Sequence, residues 1–86
     1  MRRAARVDAT AKELRAYAES LGFVVVVING VVDCLLVWGD RVFIVDWKSK
    51  GGTLTSEQAR LTAKGVRIRF ISTPLQLDQL KAEVTG

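Results

Sequence analysis

Histidine is absent from this chain of 86 residues, and cysteine and proline occur once each, as Cys34 and Pro74. Without histidine there is no zinc site of the Cys/His type and no triad that relies on an imidazole base, and a lone cysteine closes no internal disulfide. Any metal must therefore bind through oxygen. Long apolar runs are also missing: the run from Phe23 to Ile28 ends at Asn29-Gly30, well short of the roughly 20 residues that cross a bilayer. Met1-Arg2-Arg3 does not lead into the apolar core of a signal peptide. These absences lead us to expect a cytoplasmic protein with no membrane partner.

What is present suits one folded domain over residues 1–86. At 49% hydrophobic and 26% charged, the composition is too apolar for a disordered tail and too charged for a membrane protein. Thirteen Lys and Arg against nine Asp and Glu leave a net charge of +4, which favours anionic partners without identifying one. Arg2, Arg3 and Arg6 cluster at the start, and Arg60, Lys64, Arg67 and Arg69 lie close together later. The first cluster fits a solvated tail and a phosphate contact equally well.

The pattern of apolar residues predicts the order α-β-β-β-α-β-α. A first helix runs from about Asp8 or Thr10 to Leu21, with Ala11, Leu14, Ala18 and Leu21 on one face and Gly22 as its stop. The unbroken run Phe23–Ile28 reads as a strand covered on both faces. Asn29-Gly30 and Gly39-Asp40 are turn signals, so that strand, Asp33–Trp38 and Arg41–Lys48 should form an antiparallel meander. Thr55 with Gln58 opens a second helix as far as Lys64, closed by Gly65. Val66–Ser72 alternates, with Val66, Ile68 and Phe70 on a core face and Arg67 and Arg69 on a polar one. Thr73 and Pro74 start a last helix with a buried stripe of Leu77, Leu80 and Val84.

Within this frame Asp33, Asp46 and Lys48 form the constellation that carries chemistry. Asp46 and Lys48 are two apart on one strand, so their side chains leave the same face. Pairing through the Gly39-Asp40 turn brings Asp33 beside Asp46. Both carboxylates interrupt apolar strands, where burial is costly without a partner. Such a cluster suits phosphodiester hydrolysis, which needs stabilisation of charge on phosphate oxygens and an activated water. Mg²⁺, or Mn²⁺ in its place, would supply both. Asp33, Asp46 and the backbone carbonyl of Trp47 are the candidate metal ligands, with Lys48 placed to orient the water or offset developing charge. The Trp47 ring can pack on the opposite face of the sheet or stack on a base.

Several features together resemble the VRR-NUC nucleases of phages and bacteria, within the PD-(D/E)XK superfamily that also holds Holliday-junction resolvases. They are the opening Arg2-Arg3-Ala4-Ala5-Arg6-Val7-Asp8-Ala9, the first helix ending at Leu21-Gly22, Asp33 after a glycine turn, Asp46-Trp47-Lys48, and Leu54-Thr55-Ser56-Glu57-Gln58 opening the second helix. Val32 and Asp46 stand where that group usually carries proline and glutamate. The resemblance implies an α/β (α+β) fold with a restriction-endonuclease-like α-β-β-β-α-β core, a C-terminal helix and a mixed central sheet flanked by helices. It further implies a magnesium-dependent endonuclease acting on branched DNA in replication or repair. Gln58 would point into the site and Glu13 would be an extra carboxylate and possible metal ligand. Thr10 with Glu13 and Thr55 with Gln58 also fit capping boxes by spacing alone. Arg2, Arg3, Arg6, Arg60 and Lys64 are the candidate DNA contacts. So short a chain with so apolar a strand is also expected to pair with a copy of itself.

Overall fold

Residues 10–49 and 52–86 are described by the computed structural model. The first helix, α1 (Ala11–Leu21), begins where Thr10 can accept a hydrogen bond from the Glu13 amide while Glu13 accepts one from the Thr10 amide. It ends where Gly22 adopts φ 109°, a conformation a side chain would oppose. A Cβ at Gly22 would also lie 3.0 Å from the Trp38 ring. The strands β1 (Val24–Val27), β2 (Cys34–Trp38) and β3 (Arg41–Trp47) form the expected meander. After α2 (Ser56–Ala63), β4 (Ile68–Ile71) joins β3 in parallel, so the sheet is mixed, in the order β1-β2-β3-β4. The last helix, α3 (Pro74–Thr85), is capped by Thr73 and Gln76. An α+β architecture with helices flanking a mixed sheet is thus what the chain adopts.

One face of the sheet holds the core. Leu14 and Ala18 of α1 and Leu77 and Leu80 of α3 pack onto Phe23, Cys34, Leu36, Phe43, Val45 and Ile71, with Trp38 and Trp47 alongside. Leu36, Val45, Leu77 and Ala18 have no accessible surface. The Trp47 ring therefore belongs to the core layer, one of the two placements its sequence context allows.

Two expectations about faces are corrected. β1 is an edge strand and is not covered on both sides: Val24 is 60% exposed and Val26 43%, because both core helices lie on the other face. In β4 the split is also different. Register places Arg69 opposite Val45 and Phe70 opposite Asp46, so Arg69 shares the helix-covered face with Ile71. There its guanidinium forms a two-pronged pair with Glu83 of α3, at 2.8 and 2.9 Å, and lies 5.3 Å above the Phe43 ring. The ion pair lets a cation occupy a layer that alternation alone assigns to solvent.

Candidate functional site

The segment between β1 and β2 is shaped to present Asp33. The amides of Ile28 and Asn29 both donate to the Asp33 carbonyl, at 2.9 and 3.1 Å, and Gly30 N–H donates to Val32 O at 3.0 Å. Asn29 accommodates the bend at φ 56°, in the left-handed region that asparagine tolerates better than most residues. Gln58 of α2 closes the loop. Its Nε2 donates to the Val31 carbonyl at 2.8 Å while its Oε1 accepts from Thr55 N–H at 3.1 Å. Gln58 is 2% exposed. Its carboxamide thus serves both the helix cap and the loop that carries Asp33, satisfying polar groups that burial would otherwise penalise.

Strand register brings the carboxylates together. Cys34 pairs with Val45, so Asp33 lies one step further along the ladder, against Asp46. Asp33 Oδ2 accepts the Trp47 amide at 2.8 Å. Asp46 is buried, and Lys48 Nζ stands 3.1 Å from its Oδ2. Lys48 is fixed at both ends, since its amide donates to Ile71 O at 2.9 Å and its ammonium lies 5.6 Å from the centre of the Phe70 ring.

Burial is the largest influence on the Asp33 carboxyl and pushes its pKa up. The Trp47 amide opposes this, Asp46 reinforces it by charge and by a shared hydrogen bond, and Lys48 weakly opposes it. Next to this cluster the Cys34 thiol is pushed up to about 11, first by burial and then by the charge of Asp33. That makes it a packing residue with little thiolate character at neutral pH.

The donor set suits a hard cation. Two adjacent carboxylates with a single ammonium carry excess negative charge in a partly desolvated place, and a divalent ion would offset it. Magnesium commonly takes one or two protein carboxylates and completes its octahedron with water and phosphate oxygens. Asp33 and Asp46 provide these carboxylates, and the Trp47 carbonyl lies on the strand between Asp46 and Lys48. Among the described residues, no group of three or more His, Cys, Asp or Glu side chains is arranged to hold a metal.

The remaining predicted residues are placed as follows. Glu13 is exposed on α1, with its carboxylate 2.8 Å from the Thr10 amide. Arg60 makes a two-pronged pair with Glu57, the closest contact being 2.7 Å. Lys64 is exposed at the C-terminal end of α2. Arg2, Arg3 and Arg6 lie outside the described residues. The Gln58–Val31 link joins residues 27 apart that share no strand pairing, so nothing in the spacing of residues announces it. Searches against protein-family models, curated proteins and solved structures return no match for this chain.

Proposed function

We propose that this chain is a magnesium-dependent DNA endonuclease of the VRR-NUC type in the PD-(D/E)XK superfamily, acting on branched DNA in phage or bacterial replication and repair and working as a homodimer. The observation that carries this reading is the meeting of Asp33, Asp46 and Lys48 at one end of two adjacent strands. The sequence resemblance supplies the preference for branched substrates and the cellular setting.

In this mechanism Asp33 and Asp46 would hold the metal, with the Trp47 carbonyl as a candidate further oxygen donor. The bound ion supplies charge stabilisation at the phosphate oxygens and a more acidic water. Lys48, held close to Asp46, orients the attacking water and offsets charge as it develops. Gln58 acts through the Val31 carbonyl, keeping the Asp33 loop in place.

A second reading is a nuclease-fold module that binds nucleic acid or a protein partner without turnover. It is favoured by the way the site groups satisfy one another, with Asp33 on the Trp47 amide and Asp46 on Lys48. A panel of labelled four-way junctions, flaps and linear duplexes separates the two. With Mg²⁺ or Mn²⁺ we expect cleavage, and with Ca²⁺ binding alone. Asp33→Ala, Asp46→Ala and Lys48→Ala should each lower the rate about 100- to 1,000-fold, the usual cost of losing one transition-state contact. Unaltered cleavage in both aspartate variants would remove the site assignment, and binding without any cleavage would favour the second reading.

A further inference from the structure

A small cavity of about 130 Å³ opens beside Asp33 on the α1 side of the sheet, with Lys12, Arg15 and Asn29 at its rim and Cys34 and Trp47 among its lining. We infer that this cavity is a phosphate-binding subsite for the nucleic-acid strand next to the reacting phosphodiester, with Lys12 and Arg15 as its cationic contacts. The inference rests on the nuclease reading for its ligand, but on different residues and a different measurement.

Three observations carry it. Lys12 and Arg15 are three apart on α1 and so project from one side of the helix, and both border the cavity that Asp33 borders. Arg15 shares the cavity lining with Cys34 and Trp47, the strand residues that flank the candidate site. Three other cations are committed to carboxylates, Lys48 to Asp46, Arg60 to Glu57 and Arg69 to Glu83, while Arg41 and Arg67 lie away from this cavity, beside the far end of β3 and β4. Among the described residues neither Lys12 nor Arg15 has an ion-pair partner. Two uncommitted cations facing a cavity shared with one carboxylate leave a local excess of positive charge.

Size and chemistry then select the ligand. A volume of about 130 Å³ is a few times the ~30 Å³ a water occupies in the liquid. That admits a phosphodiester group with its solvent. A guanidinium and an ammonium are the usual pair for phosphate oxygens, and the Asn29 side chain adds hydrogen-bonding capacity at the rim. Because Asp33 borders the same space, an anion seated there lies next to one of the two candidate metal ligands, at the end of the strand that carries it.

The test is binding, measured by fluorescence anisotropy on a four-way junction in Ca²⁺ over a range of KCl concentrations. Loss of one phosphate contact on duplex DNA should make the slope of log K against log salt shallower by about 0.9. We expect at least that change for Lys12→Ala/Arg15→Ala, with affinity falling several-fold at low salt. Arg15→Lys should keep the wild-type slope, and Lys81→Ala, a cation on α3, should leave it unaltered. Circular dichroism melts verify that the exposed substitutions leave the fold intact. A series with single methylphosphonate replacements adds a positional check: one neutralised phosphate should weaken the wild type but not the double variant. An unchanged slope in the double variant overturns the subsite, even if the wild type cuts DNA; so does a wild type that binds no DNA in Ca²⁺. A shallower slope from a wild type that never cuts DNA supports the subsite while removing the catalytic reading.

Discussion

Asp33 illustrates the conflict between stability and chemistry at a single residue. Its carboxyl is half-buried, meets Asp46, and has a pKa raised above the ordinary carboxylate value, chiefly by burial. A carboxyl whose folded-state pKa exceeds the unfolded one favours folding in its protonated form. That contribution is complete below the unfolded pKa and is lost as pH rises through the raised folded value. At neutral pH the ionised Asp33 therefore costs stability. Asp33→Asn keeps an oxygen for the Trp47 amide and removes the charge, so its Tm at pH 7 should exceed that of the wild type. The gain corresponds to about 4–8 °C per kcal/mol relieved in a domain of this size. It should shrink as the pH is lowered through the acid range, where Asp33 is itself neutral. Parallel melts at several pH values measure this; a variant less stable than the wild type at pH 7 would contradict the assignment of Asp33 as a strained carboxylate. A site residue that destabilises its own fold is expected where function sets the choice of side chain.

Among the elements, the turns and caps decide where each piece stops, and Gly22 is the most constrained of them. It combines φ 109° with the Trp38 ring 3.0 Å from where a Cβ would sit, whereas Gly39, at φ 63°, faces open space. Gly22→Ala should therefore destabilise by clearly more than about 1 kcal/mol, and by more than Gly39→Ala, in urea unfolding followed by circular dichroism. Equal losses at the two positions would mean that backbone conformation alone matters and the Trp38 contact does not. The helices were legible because their ends carry local chemistry: Thr10 with Glu13 and Thr55 with Gln58 form the reciprocal caps that their spacing suggests, and Thr73 caps the last helix, with Gln76 as its partner. The meeting of Asp33 and Asp46 was legible for a similar reason, since a two-residue turn at Gly39-Asp40 determines the register on both sides. The layering of the sheet was not. Four consecutive valines in β1 have no period to reveal an open face, and the alternation in β4 shows which residues share a face without showing which face the helices cover. Gln58 on Val31, and Lys12 and Arg15 beside Asp33, depend on contacts between elements that no local pattern encodes.

At the scale of the whole molecule the unresolved physical problem is the open sheet face. Register aligns Val24, Val37 and Val42 in one row and Val26, Leu35 and Ile44 in the next, and Val42 is 55% exposed. These aliphatic side chains lie side by side on the face that the core helices leave uncovered, the kind of exposed apolar surface that marks interaction sites. A second copy of the chain is the proposed occupant, because a flat face of β-branched residues is complementary to itself across a two-fold axis, the commonest closed symmetry. The row that continues this face is the one bearing Asp33, Asp46 and Phe70, so a partner seated on the valines would lie beside the candidate site. Light scattering at micromolar concentration should then give twice the 9.5 kDa chain mass. Val42→Glu places a charge in the middle of the contact at an already exposed position, so it should yield a folded monomer. A wild type that is monodisperse at 9.5 kDa would refute the dimer, and a Val42→Glu variant that stays dimeric would move the contact to another surface.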